Sequence, residues 1–136
     1  MFSLDLSFNE LESSCAQQIA QLLSWKTSIL QVLDVSNNNI RDRGAKFIAT
    51  ALENNEHLEV LNLSSNAITE SGGTSLAKAL QHNQSLRSLD LSENPIGGQA
   101  LGAFKTLLDE NKRITELKLS SKLGEVISKK LVFLSS

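Results

Sequence analysis

A six-residue pattern that returns at a fixed interval constrains the fold of this chain more than any other feature. The pattern is Leu-x-Leu/Val-Ser followed by a variable residue and, in four of its five copies, asparagine. Its first leucine stands at Leu4, Leu33, Leu61, Leu89 and Leu117, so the copies are separated by 29, 28, 28 and 28 residues. Self-similarity at a period of about 20 to 50 residues is typical of chains that stack like units along one axis. The sequence therefore predicts a repeat stack.

Each repeat is predicted to contain one short strand and one helix. Apolar and polar residues alternate over about five residues at the start of the repeat, which is the period of a strand with one buried face. A second apolar anchor follows, as at Ile40, and then apolar residues at helical spacing, as at Ala45, Ile48 and Leu52. We expect strands near residues 3–7, 31–36, 59–64, 87–92 and 115–120, with a helix after each of the first four.

The ends of the predicted helices carry recurring residues. Asn55, Asn83 and Asn111 stand at one phase of the repeat, where an asparagine in the left-handed conformation ends a helix. Gly44 and Gly72 share a phase at the helix start, where a close approach favours a residue without Cβ. Both helix termini are therefore predicted from single recurring residues.

The complete pattern is similar to that of a known family. Leu-x-Leu-x-x-Asn, then Ile-x-x-x-Gly, a helix, asparagine and Leu-x-x-Leu at a 28-residue period resemble the ribonuclease-inhibitor-like leucine-rich repeats over roughly residues 3–121. The resemblance implies an α/β solenoid, a curved right-handed stack with a parallel sheet on the concave face and helices on the convex face. It also implies an internal ladder that bonds loop backbone groups, formed by Asn9, Asn38, Asn66 and Asn94. Lys122 interrupts this series.

We expect one domain over residues 1–136, with about four full repeats and a partial fifth. Their bounds are about 3–30, 31–58, 59–86, 87–114 and 115–136. A single repeat cannot bury both sides of its leucine layer, so the ends of the stack are its weak points. Either upstream repeats have been removed or the first edge meets another surface, and we expect this edge to self-associate or fray. At the other end Leu123, Ile127, Leu131 and Leu134 recur at helical spacing, which favours a closing cap over a docking helix.

Composition disfavours several classes of partner. The formal net charge is −2, which offers no basic excess for a phosphate backbone, so nucleic acid is not an expected partner. No apolar run approaches the ~18 residues of a membrane span, and the N-terminus does not resemble a secretory signal. The single cysteine favours a reducing compartment, and we expect a cytoplasmic protein.

Groups that carry out catalysis are scarce in the sequence. His57 and His82 stand at different phases, and no Cys-x-x-Cys, His-Glu-x-x-His or Gly-x-Ser-x-Gly string is present. Cys15 stands at the phase of Gly44, so we interpret it as a buried small residue in preference to a reactive thiol. We therefore expect no catalytic residue, no metal and no cofactor.

The polar positions between the buried leucines are the candidate binding residues. Residues at one phase stack roughly 5 Å apart on neighbouring parallel strands, which makes Asp5, Asp34 and Asp90 part of a line and not of a catalytic pocket. We predict partner contacts on the concave face at Asp5, Val32, Asp34, Val60, Asn62, Asp90, Glu116 and Lys118. Rim contacts are predicted at Phe8, Trp25, Asn37 and Glu93. The plainer interpretations are solvated polar positions and, for Trp25, packing over an irregular turn.

A non-enzymatic module that binds a partner protein is the favoured hypothesis. In the resembling family the repeat occurs in ribonuclease inhibitors, innate immune receptors, GTPase activators for Ran and bacterial effectors, and fold does not choose among them. One alternative is a Ran-type GTPase activator, in which Arg41 or Arg43 would act on a GTPase site. Another is a regulatory or sensor fragment of a larger immune-receptor-like or bacterial effector protein.

Overall fold

The chain folds as an alternation of short strands and helices. The computed structural model describes residues 2–25 and 28–119. Within these ranges the elements are β1 (Ser3–Asp5), α1 (Ser13–Ser24), β2 (Val32–Asp34), α2 (Arg41–Leu52), β3 (Val60–Asn62), α3 (Glu70–Leu80), β4 (Ser88–Asp90), a 3-10 turn (Gly98–Ala100), α4 (Leu101–Glu110) and β5 (Glu116–Lys118). This order confirms the predicted α/β solenoid of strand and helix repeats.

The strands form a five-stranded parallel sheet in sequence order, with β1 and β5 at its edges. The pairing is in register through the first leucine of each repeat, from Leu4 to Leu117. Each strand is three residues long and shorter than expected. The chain turns away after the third residue, although the next residues still bond to the neighbouring repeat, as Leu6 N does by donating to the carbonyl oxygen of Asp34 (2.7 Å).

The core is a stack of leucine layers between the sheet and the helices. Leu33, Leu61 and Leu89 each lie between two paired strands and are fully buried. Burying such a side chain contributes about 1.5 to 3 kcal/mol. Leu4, on the first edge strand, is only partly buried. The helices close the core with one apolar stripe each, whose last buried members are Leu23, Leu52, Leu80 and Leu108.

The helix starts are tightly packed, as the two glycines predict. A Cβ on Gly44 would lie 2.5 Å from Ile40 Cγ2 and 2.9 Å from Ala16 Cβ. Gly72 has equally little space and contacts the carboxylate of Asp42. Cys15 stands at the same phase but is half-buried, so its expected burial is wrong. The reason is that no described helix packs in front of α1 as α1 packs in front of α2.

The predicted left-handed conformation of the helix caps is also wrong, although Asn111 does stand at the C-cap of α4. Asn55, Asn83 and Asn111 have no positive φ, and all three side chains are buried. Each side chain instead bridges repeats. Asn83 Nδ2 donates to the carbonyl oxygens of Leu52 (2.8 Å) and Asn55 (3.1 Å), and its Oδ1 accepts from Leu86 N (2.7 Å). The side chain of each asparagine therefore donates to a carbonyl oxygen at the end of the helix in the preceding repeat. Together the asparagines form a ladder at the ends of the helices.

Two further expectations concern the C-terminal residues and membrane-spanning helices. The predicted cap or docking helix over residues 122–136 lies outside the described residues. In the described part of the chain, each helix is too short or too polar to span a membrane.

Candidate protein-binding surface

The polar positions of the strands lie side by side on the face of the sheet away from the helices. In strand order this polar row consists of Asp5, Asp34, Asn62, Asp90 and Lys118. A second, parallel series consists of Ser3, Val32, Val60, Ser88 and Glu116. Every member of both series is half-buried or exposed. The structure therefore brings the predicted concave-face residues together on one continuous surface.

The Asp and Asn side chains of the polar row also form turns at the ends of the strands. The Oδ1 atom of Asp34 accepts a hydrogen bond from Ser36 N (2.9 Å), and Asn62 makes the same contact with Ser64 N (3.0 Å). Asp90 accepts from both the amide (2.9 Å) and the hydroxyl (2.6 Å) of Ser92. Such Asx turns hold the side chain in one orientation. Sequence reasoning missed this role, although an Asp or Asn two residues before a serine recurs in four repeats and was the available signal.

The row keeps a negative character over its first four strands. The hydroxyl and the amide of Ser7 hydrogen-bond to Asp5 and hold the pKa of its carboxyl below the usual range. Lys118, at the far end, lies 3.3 Å from the carboxylate of Glu116, which offsets its charge locally. The surface thus presents three carboxylates and one amide before its first cation.

A third series, one position before the strands, is linked by its own polar contacts. Gln31 Nε2 donates to the carboxylate of Glu59 (3.0 Å), and Arg87 lies 3.6 Å from the same group. These three residues were not among the predicted contacts. Their alignment follows from the 28-residue period alone, which would have been enough to find them.

The asparagines after the strands bond neighbouring loops. Asn66 Nδ2 donates to the carbonyl oxygens of Val35 (2.9 Å) and Leu63 (3.1 Å), and its Oδ1 accepts from Ile40 N (3.2 Å). Asn38 and Asn94 make equivalent contacts, whereas Asn9 is exposed and its side chain donates to the carbonyl oxygen of Ser7 in its own repeat. The loops beside the polar row are therefore held by side chains within the stack, and least firmly at its first repeat.

The four predicted rim residues lie at two different edges of the sheet. Phe8, Asn37 and Glu93 follow the strands, are exposed and have φ near +57°. Among the described residues Phe8 is the most exposed large apolar one, with 76% of its surface accessible. Trp25 instead follows α1, where the helices end, and is 61% exposed. The structure therefore does not bring Trp25 to the same rim as the other three.

The two arginines considered for a GTPase-activator role lie at the start of α2 and contact their own chain. Arg41 Nε donates to Asn39 Oδ1 (2.9 Å), and the Arg43 guanidinium lies 5.5 Å from the ring centroid of Phe47. Both residues are exposed. Each guanidinium thus has a local partner that orients it.

Asp42, between these arginines, caps the next helix. Its Oδ1 accepts from Thr69 N (2.8 Å) and Gly72 N (3.0 Å), and its Oδ2 accepts from the Thr69 hydroxyl (2.5 Å). Burial disfavours the charged form, but these hydrogen bonds, together with the charge of Lys46, outweigh it, so the pKa of Asp42 is lowered. This carboxylate ties α2 to the N-terminus of α3.

Comparison with known proteins gives results at the levels of sequence and fold. A family model described as Leucine Rich repeat matches residues 28–49, 54–77 and 82–105, just over half of the chain. No curated protein matches the sequence. Among solved structures the chain is similar to leiomodin-1 actin-binding site 2, with a TM-score of 0.84, 23% identity, and coverage of 99% of this chain and 79% of that one. It is also similar to the tropomodulin C-terminal domain of Caenorhabditis elegans, with a TM-score of 0.81, 15% identity, and coverage of 99% and 80%.

Proposed function

Since the chain belongs to the leucine-rich-repeat family, we propose that it is a non-enzymatic module that binds a partner protein through the concave face of its sheet and the adjacent loops. We also propose the ribonuclease-inhibitor-like subfamily, whose 28-residue repeat this chain resembles. We assign this binding to the cytoplasm, in keeping with the single cysteine.

The observation that carries the proposal is the polar row. Its side chains are accessible, and Asx turns orient those of Asp5, Asp34, Asn62 and Asp90 before any partner arrives. Preorganised groups lose less conformational entropy on binding than free ones do. A line of groups about one strand spacing apart suits an extended protein surface and does not converge on one reacting atom.

The chemistry of the row indicates the kind of surface that it would accept. Asp5, Asp34 and Asp90 favour lysine or arginine side chains on the partner, and such charges mainly set association rate and specificity. Val32 and Val60 are adjacent and half-buried, and they offer a small apolar contact beside the charges. One similar structure is an actin-binding site by its own description, so actin is the first candidate partner to test.

The test removes charge without removing the turns. Asn62 shows that an amide supports the same turn as a carboxylate, so Asp34→Asn with Asp90→Asn leaves the backbone contacts in place. Capture of actin, and of proteins from cell extract, on the immobilised chain is measured for both forms. We expect the double variant to bind its partner about three- to ten-fold more weakly and with less dependence on salt.

The matched control is Asp109→Asn with Glu110→Gln, which makes the same change of charge at two exposed residues near the end of α4. It should bind like the unmodified chain. Full capture by the Asp34 and Asp90 variant, with loss in the control, would contradict the use of the concave face.

The activator alternative predicts a different measurement. A GTPase activator must accelerate single-turnover GTP hydrolysis by a small GTPase. Acceleration that is lost in Arg41→Ala or Arg43→Ala and survives the Asp34 and Asp90 changes would overturn the non-enzymatic proposal.

A further inference from the structure

A groove runs along the edge of the solenoid where the helices end and the strands begin. One part, of about 450 Å³, lies between Trp25 and His57. The next part, of about 340 Å³, continues to His82 and shares Asn54 and Glu56 with the first. We call this continuous feature the edge groove. It lies across the sheet from Phe8, Asn37 and Glu93 and is separate from the polar row.

Trp25 gives the groove one aromatic wall. Its indole is 61% exposed, although tryptophan is a large apolar residue that usually packs against the core. It is the only tryptophan of the chain, which contains no tyrosine. An accessible indole face attracts cations through its quadrupole, more strongly than other aromatic rings do.

The described residues around Trp25 make its surroundings negative. Helices α1 and α2 both end at this edge, and neither has a basic residue in its last turn to compensate the negative end of its dipole. The exposed carboxylates of Glu53 and Glu56 add formal charge to the same place. A cation at this position would therefore meet an aromatic face and carboxylates together.

The described cations of this edge lie farther along the stack, and Lys26, which follows Trp25 in the sequence, lies outside the described residues. Arg87 pairs with Glu59 at 3.6 Å, and Arg113 Nε donates to the carbonyl oxygen of Gln84 (3.0 Å). Lys78 lies in the last turn of α3, beyond the part of the groove lined by Trp25. Among the described residues, the charge of the edge groove is thus most negative beside the tryptophan.

We propose that the edge groove binds an arginine- or lysine-bearing segment of a partner protein, with the cationic head group over the Trp25 ring and facing Glu56. Arginine suits the site best, because its planar guanidinium stacks on an aromatic face while donating to a carboxylate. This contact is independent of the concave face and would give the module a second, separately tunable binding surface.

The experiment uses Trp25 as its own reporter. Because the chain has one tryptophan and no tyrosine, a change in tryptophan emission on adding a peptide reports on Trp25. The probe is a short amidated peptide of alternating glycine and arginine, and the control peptide alternates glycine and glutamate. We expect a saturable emission change with the arginine peptide alone, which weakens as salt rises.

Three variants locate the site. Glu56→Gln should weaken binding of the arginine peptide by about two- to five-fold, the effect of one exposed charge contact. Glu10→Gln, an equally exposed change at the opposite edge, and Asp34→Asn on the polar row should leave the affinity unchanged. In Trp25→Ala, where the optical signal is lost, the backbone amide shifts of His57 follow the peptide, and we expect a similar two- to five-fold loss.

The proposal fails if the glutamate peptide produces the same emission change, or if Glu56→Gln and Trp25→Ala both bind the arginine peptide as tightly as the unmodified chain. It also fails if Asp34→Asn is the variant that loses affinity, because the peptide would then lie on the polar row.

Discussion

The first and third repeats carry nearly the same motif in different surroundings. Leu61 and Asn66 in the third repeat are fully buried, whereas Leu4 is partly buried and Asn9 is exposed. The residue types match, so the difference comes from the neighbours that the stack provides. In a linear array each repeat is stabilised largely by its interfaces, and the same motif has a different energetic weight at the end than in the middle.

The largest expected difference between the two repeats is in the stability lost when their asparagines are replaced by alanine. Asn66→Ala leaves the amide of Ile40 without its side-chain partner and removes one of the two side-chain donors to each of the carbonyl oxygens of Val35 and Leu63. We expect a loss of about 3 kcal/mol in the free energy of unfolding, since an unpaired buried amide costs about 1 to 3 kcal/mol and each lost hydrogen bond about 0.5 to 1.5 kcal/mol. Asn9→Ala should cost less than about 0.5 kcal/mol, as at other exposed positions. Urea unfolding of both variants measures this, and equal losses would show that burial does not govern the ladder.

The second comparison concerns Gly44 and Cys15, which stand at the same position in their repeats. Gly44→Ala forces a methyl group against Ile40 and Ala16, and we expect it to destabilise the protein by about 2 kcal/mol through overpacking. Cys15→Ala, at the same phase of the first repeat, should change stability by less than about 0.5 kcal/mol. Thermal unfolding of both variants is the measurement. A neutral Gly44→Ala would mean that α1 and α2 separate at little cost.

Backbone opening should distinguish the repeats without any substitution. Leu6 N donates to the Asp34 carbonyl oxygen at the edge of the sheet, whereas Leu63 N makes the same contact with Asp90 inside it. We expect the Leu6 amide to exchange with solvent at least about ten-fold faster, a difference of roughly 1.4 kcal/mol. Protection of Leu6 that increases with protein concentration, together with a larger mass by light scattering, would instead indicate self-association at this edge.

The smallest effect concerns a contact that the first repeat lacks. Asp42 caps α3, while Ser13, at the same phase, donates to the carbonyl oxygen of Ile40. Asp42→Ala should cost about 1 kcal/mol at neutral pH, as for other helix caps. Ser13→Ala should cost about half as much.

The cap also has a defined pH dependence. Because the pKa of Asp42 is lowered in the folded state, its stabilisation is complete above the ordinary carboxyl value of 3.8 and is lost as the pH falls through the lower folded value. Unfolding curves of the unmodified chain and Asp42→Ala should therefore converge in acid. A constant difference down to the lowest pH would contradict a charged cap.

The sequence predicts repetition better than it predicts individual roles. The register through Leu33 and Leu61 follows from the period, and the crowding at Gly44 follows from a residue that lacks Cβ. The role of Asn83 did not follow, because asparagine is typical both of a left-handed cap and of a buried side-chain bridge, and only the packing of the next repeat distinguishes them.

The sequence also did not predict the surroundings of single residues that do not follow the repeat pattern. Trp25 follows α1 in the first repeat, whose interval is 29 residues and not 28, so phase does not define its position. Cys15 was expected to be buried because Gly44 suggested it, but burial at that phase depends on a preceding helix. The Asx turns at Asp34 and Asp90 were within reach of the sequence, and were missed because outward polar residues were considered only as contacts.

The Asx turns also restrict how the candidate binding surface can evolve. Aspartate and asparagine are almost the same size and both support the turn, yet they differ by one unit of charge. Substitution between them at the four turn positions would rewrite the electrostatic pattern of the face while the backbone stays the same. A lineage that changes partners would then do so by exchanging aspartate and asparagine. Asn62 already carries the neutral side chain, whereas Asp34 and Asp90 carry the charged one.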